Sequence, residues 1–193
     1  MSGWQKLGFK IFLEEPLRAE TQEFIPVFHS WIQNQDVDGH LLIDVHDYSH
    51  VHRGPGILLV AHEGNFSLDQ ADDRPGLLYY RKQDPDGNRE ECIRDVFRQT
   101  LLACSRLEAD PILGGRVRFH TREMLLLAND RLHTPNSPET FEQLRPELTQ
   151  ALSRILGRGV FSLDRVEDPR ERFSVRIRAR RSFRPGYLLR RLN

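Results

Sequence analysis

Residues 41–62 read LLIDVHDYSHVHRGPGILLVAH. Leu41 to Tyr48 has the composition of a strand, and Ile57 to His62 is a second apolar run. Between them Arg53-Gly54-Pro55-Gly56 supplies turn chemistry, so the pair predicts a β-hairpin. Downstream, Gly76 to Lys82 reads as a third strand beyond the polar loop Gln70 to Pro75. Asp84-Pro85-Asp86-Gly87 marks a turn, and Asn88 with Glu91 three places on forms a capping-box pattern that opens a helix running to about Glu108. Ile93, Val96, Phe97, Leu101, Cys104 and Leu107 recur at helical spacing and mark its buried face.

Upstream, Phe9 to Leu13 is a short apolar segment closed by Glu14-Glu15-Pro16 and reads as a strand. Pro26 to Gln33 reads as a helix with Phe28, Trp31 and Ile32 inward. Toward the C-terminus, Gly114-Gly115 precedes what reads as a second hairpin, Arg116 to Phe119 with Met124 to Asn129. Ser137-Pro138-Glu139 then starts a second long helix, with Phe141, Leu144, Leu148, Leu152 and Ile155 on its inner face. Val160 to Arg165 and Phe173 to Ala179 read as the last strands, flanking a polar turn from Glu167 to Arg170. Hairpin followed by helix thus occurs twice, at about 41–108 and 116–156, as in an internal repeat. Hairpins rather than alternating βαβ units predict an α+β fold. Its sheet would be mainly antiparallel, with two long amphipathic helices packed on one face. Residues 1–181 are expected to form one domain and 182–193 a basic C-terminal tail.

Composition narrows the function classes. The chain has 193 residues, 38% hydrophobic and 29% charged, enough to bury a core without metal or disulfide support. Its 28 basic and 28 acidic side chains cancel, so no whole-molecule field draws it to nucleic acid or membrane. The N-terminal segment lacks the basic and continuous apolar regions of a secretory signal, and no run approaches the roughly 18 apolar residues of a membrane span. Cys92 and Cys104 share one predicted helix about 18 Å apart, too far to bridge. They read as buried thiols, and the expected compartment is the cytoplasm. The phosphate loop, the dinucleotide-binding turn, the nucleophile elbow and the C-x-x-C pair are all absent. That pattern favours a binding protein over an enzyme, while leaving catalysis open.

Two clusters stand out. Five of the eight histidines fall between His40 and His62. In an extended chain Asp44, His46, Tyr48, His50 and His52 project to one side. A turn centred on Gly54-Pro55 would set Glu63 opposite His46, and a one-residue shift would set His62 opposite Tyr48. His46, His50, His62 and Glu63, with Asp44 in support, are therefore candidate ligands for a divalent transition metal or members of an acid–base pair. No metal motif of defined spacing is matched, and a polar strand face accounts for the same residues. Asn34, Asp36, Asp38 and Gly39 copy the first half of a calcium loop, but Val45 stands where its glutamate should be.

The second cluster is C-terminal. From Phe173 to Asn193 there are seven arginines and no acidic residue. Strand alternation turns Phe173, Val175, Ile177 and Ala179 inward and Arg176, Arg178 and Arg180 outward. The three arginines form a guanidinium ladder able to grip an anion or an acidic partner. The rest of the chain carries the compensating negative charge, so internal pairing is the competing explanation.

Leu41-Leu42-Ile43-Asp44-Val45, Gly54-Pro55-Gly56 leading to His62-Glu63, Pro138-Glu139-Thr140-Phe141 and Arg145-Pro146-Glu147-Leu148 are similar to segments of uncharacterised bacterial proteins of comparable length. The resemblance implies a bacterial, cytoplasmic, whole-chain domain and transfers no activity. The expected function is non-catalytic binding or assembly around an acidic partner or ligand, with a protein partner or self-association foremost and nucleic acid weaker. The alternative is a metal-binding protein or metalloenzyme built on the histidines.

Overall fold

The computed structural model describes residues 6–71, 74–83, 88–168 and 171–192. The strands are β1 (Leu7–Leu13), β2 (Leu42–Tyr48), β3 (Gly56–Ala61), β4 (Gly64–Asp69), β5 (Gly76–Arg81), β6 (Phe119–Ala128), β7 (Phe161–Arg165) and β8 (Phe173–Ala179). The α-helices are α1 (Phe24–Asn34), α2 (Arg89–Ala109), α3 (Pro138–Leu156) and α4 (Pro185–Leu192). All eight strands join one sheet in the order β2-β3-β4-β5-β1-β6-β8-β7, and every pairing is antiparallel. The fold is α+β, as the hairpin signals predict. Among the described residues no helix is long and apolar enough to cross a membrane.

Helix boundaries follow local chemistry. Asn88 and Glu91 form the reciprocal capping box at the start of α2, each side chain accepting from the other's backbone N–H. Ser137 caps α3 by accepting from the Thr140 N–H, with Pro138 at the first helical position. The turn expected at Asp84–Gly87 lies outside the described residues, as does the end of the one expected at Glu167–Arg170.

Central strand β1 is buried along its whole length. Leu7, Phe9, Ile11 and Leu13 enter the main core, which also holds the buried aromatic and aliphatic side chains of all four helices. Phe9 meets Phe97 of α2 with ring centroids 4.5 Å apart. Burying each such side chain contributes about 1.5–3 kcal/mol. Alternate strand residues form a second cluster of Phe12, Leu78, Leu125 and Leu127, which contains no helix residue.

Three expectations change. The second hairpin does not form: Phe119–Ala128 is one continuous strand that pairs with β1 and β8, so the hairpin–helix repeat disappears. Its polar centre, Thr121 to Glu123, resembles turn chemistry, yet Thr121 is buried and bonded to Phe183. Strand β4, Gly64–Asp69, is an element the sequence reading leaves out. Finally, the segment read as a tail contains α4, whose Leu188 is fully buried in the main core.

Candidate anion-binding cleft

Register partners in an antiparallel sheet share a face. One unbroken row crosses all eight strands: His46, Leu58, Ser67, Leu78, Lys10, Leu125, Arg176 and Asp164. It lies on the face of the second cluster. The β2–β3 turn and β4–β5 loop stand at one end of the strands. Residues 129–131 and the β7–β8 connection stand at the other end, on the far half of the sheet. Sheet twist lifts two diagonally opposite corners toward the same face. Between them lies a cleft of about 700 Å³, within the usual range for small-ligand sites.

Its lining is strongly cationic for a chain with no net charge. Among the described residues Lys10, Arg53, Arg74, Arg131, Arg172 and Arg176 share the lining with two carboxylates, Asp69 and Glu171. Phe12, Leu78, Leu125 and Leu127 form its apolar floor. At the centre the Lys10 ammonium, 1% exposed, donates to Asp69 Oδ2 at 2.5 Å and to the Ala71 carbonyl at 3.2 Å. A lysine so deeply placed needs its carboxylate, because desolvation of an unpaired charge costs several kcal/mol.

Beside it, the Arg74 guanidinium lies 3.9 Å from the centre of the Phe12 ring and donates to Glu123 Oε1 at 2.5 Å. Glu123 also faces Arg176 Nε at 3.3 Å and Arg178 Nε at 3.9 Å. Burial pushes the Glu123 carboxyl up, but the Arg74 hydrogen bond and the three guanidinium charges outweigh it and hold the pKa below the ordinary value. By contrast, Arg53, Arg131 and Arg172 make no ion pair among the described residues.

The arginine ladder is in place but divided. Val175, Ile177 and Ala179 are buried, while Arg176 and Arg178 occupy the other side of β8 and Arg180 follows its last residue. Arg176 lines the cleft, whereas Arg178 donates to Asp164 at 2.7 Å. Arg178 and Arg180 line a neighbouring depression with His120 and Phe161. Internal pairing thus accounts for Arg178 and part of Arg176.

The histidine candidates separate into three places. The β2–β3 register sets His46 opposite Leu58 and Tyr48 opposite Gly56, so neither expected pairing, Glu63 with His46 or His62 with Tyr48, occurs. The connection between the strands is longer than a turn centred on Gly54-Pro55 implies, and an irregularity between Leu42 and Asp44 shifts the register further. His46 Nε2 lies 3.6 Å from Asp44 Oδ2. His62 sits at the opposite end of the hairpin, 3.3 Å from Glu63 Oε1. His50 belongs to the turn, where it lines a shallow depression with His52 and Leu17. Among the described residues no group of three or more His, Cys, Asp or Glu is arranged to hold a metal ion.

His40, the remaining member of the histidine run, is buried, with Nε2 2.8 Å from Tyr79 Oη and Nδ1 3.3 Å from the Asp38 carbonyl. A carbonyl only accepts, so Nδ1 is the donor of the contact with Asp38. The calcium-like loop is the C-terminal turn of α1, where Asp36 faces Arg106 at 3.6 Å and Gln35 and Gly39 take positive φ. Both cysteines are free and buried. Burial pushes the Cys92 thiol up to about 11 and Cys104 well above the ordinary value, so neither is an activated nucleophile.

Lys10, Ser67, Asp69 and Arg74, together with the wall residues Arg53, Arg131 and Arg172, are cleft residues that sequence reasoning misses. Two signals were available. Lys10 interrupts an otherwise apolar strand, and Asn65-Phe66-Ser67-Leu68-Asp69 alternates with period two. No family model, curated protein or solved structure matches the chain.

Proposed function

We propose that this protein binds an anionic ligand in the cleft on the second face of its sheet. One observation carries the reading: six cations line a cleft with an apolar patch at its base, and three of them make no ion pair among the described residues. A concave site with an apolar base and a few directed polar groups suits a small ligand better than a broad protein surface. Arginine forks on its walls suit carboxylate or phosphate groups. The reading is of binding, because the chemistry of the described cleft residues is charge and shape. A cytoplasmic setting fits the two free thiols.

Fluorescence titration with 8-anilinonaphthalene-1-sulfonate, an anion with an apolar body, tests the proposal. Binding is expected to weaken at least tenfold in a combined Arg53→Gln, Arg131→Gln, Arg172→Gln variant. It should persist in Arg180→Gln and decline with added salt. Equal affinity in all three proteins would refute the assignment of the cleft.

A further inference from the structure

The distribution of paired and unpaired cations narrows the ligand class, and this step rests on the reading of the cleft as an anion site. The central cations already face carboxylates: Lys10 meets Asp69, and Arg74 and Arg176 share Glu123. The cations without an ion pair among the described residues are at the two walls. Arg53 stands on the β2–β3 turn, and Arg131 and Arg172 stand on the diagonally opposite corner. Between those walls the floor carries the apolar patch Phe12, Leu78, Leu125 and Leu127 around the internally matched Lys10–Asp69 pair. From β3 to β8 the sheet order contains five strand spacings, roughly 24 Å before the corners curl inward and the arginine side chains reach across.

We infer that the cleft takes a linear organic dianion with a carboxylate at each end and an apolar chain between, one end gripped by Arg53 and the other by Arg131 and Arg172. A mononegative amphiphile satisfies one wall only. A compact inorganic anion satisfies one wall and leaves the floor wet. An uncharged chain covers the floor and leaves three guanidinium groups without a counter-charge. Only the two-ended ligand engages both walls, and its chain must be apolar where it crosses Phe12, Leu78, Leu125 and Leu127, since the Lys10 ammonium is already matched by Asp69.

Isothermal titration calorimetry with α,ω-dicarboxylates from butanedioate to hexadecanedioate, beside dodecanoate and inorganic phosphate, tests this. Affinity is expected to pass through an optimum with chain length. The best diacid should bind at least tenfold tighter than dodecanoate. Arg53→Gln should erase that advantage while leaving dodecanoate within about threefold of its original affinity, since one wall remains. Arg53 is exposed and makes no ion pair among the described residues, and urea unfolding of the variant verifies an intact fold. Equal affinity for diacid and monoacid, or affinity that climbs with length without an optimum, overturns the two-ended class and leaves anion binding standing. Phosphate binding as tightly as the best diacid does the same. If none of these anions binds, both the class and the underlying reading fall.

Discussion

Replacing Lys10 by methionine, or Asp69 by leucine, should destabilise the protein strongly, while making both changes together should not. The side chains of this pair are 2% and 7% exposed, and they meet at 2.5 Å under the cleft floor. Removing one partner of a buried pair leaves an uncompensated charge and costs about 3–5 kcal/mol. In a domain of this length that lowers the melting temperature by roughly 6–20 °C. The double variant places two apolar side chains beside Phe12, Leu78 and Leu125. Substituting a buried ion pair by apolar residues is commonly neutral or better, so it should lie within about 1 kcal/mol of wild type. The single changes then sum to about 6–10 kcal/mol, and the cycle closes with a coupling of roughly 5 kcal/mol or more. Urea denaturation of the four proteins, with equal m-values, supplies the measurement. Singles within about 1 kcal/mol of wild type would refute the reasoning, because that is the behaviour of a solvated pair.

Other outcomes follow from the same contacts. Glu123→Gln should flatten the acid limb of stability. The folded carboxyl titrates below its unfolded value of about 4.3, so the wild type holds this contribution above that pH and loses it as pH falls through the folded value. The same variant releases Arg74 and Arg176 from their shared carboxylate and should tighten 8-anilinonaphthalene-1-sulfonate binding, read by titration at neutral pH. Gly56→Ala should cost about 3 kcal/mol or more in urea unfolding: Gly56 has φ +62°, and an added Cβ would stand 2.1 Å from the Leu68 carbonyl oxygen. Elemental mass spectrometry of chelator-free protein should find no stoichiometric zinc, iron or copper. A metal lost in His50→Ala or His62→Ala would contradict the separation of those residues seen here.

The fold was legible where period and punctuation agreed. The β2–β3 hairpin, the capped start of α2 and the Ser137 cap of α3 each combine a hydrophobic pattern with a specific terminating residue. Legibility failed where a strand has polar residues for a tertiary reason. Thr121 and Glu123 interrupt β6 because one bonds Phe183 and the other receives three arginines, and neither partner is close in sequence. Ser67 and Asp69 made β4 resemble a loop because its polar side faces the cleft rather than solvent. The cleft itself was half visible. Arg176 followed from strand alternation, but its place in the same row as Lys10 depends on β8 pairing with β6 and β6 with β1, an order that no local pattern encodes. The histidine run shows the converse, a conspicuous composition that strand register disperses.

The transverse row explains why a cation is sustained at the centre of the sheet. Reading across the strands, His46, Ser67, Lys10 and Arg176 alternate with Leu58, Leu78 and Leu125. Within this row His46, Ser67, Lys10 and Arg176 each have a leucine as a cross-strand neighbour. Lys10 and Arg176 stand two strand spacings apart, roughly 10 Å, with Leu125 between. That spacing lowers their mutual repulsion, and the leucines exclude the water that would screen an incoming anion. Stability alone does not require this pattern, since an all-apolar row would pack as well or better than one holding a buried ion pair. What the alternation gains is a set of fixed positive charges in a poorly hydrated surface, rigidly mounted on paired strands. Among the described residues, carboxylates of the chain pair with the central charges, whereas Arg53, Arg131 and Arg172 make no ion pair. On the proposed reading, an anion entering from solvent would meet Arg53, Arg131 and Arg172 first and settle onto leucine and phenylalanine rather than onto the Lys10–Asp69 pair. The buried pair would then shape the floor while the wall arginines select the ligand. Variants of the two groups should accordingly separate, with stability lost at Lys10 and Asp69 and affinity lost at the walls.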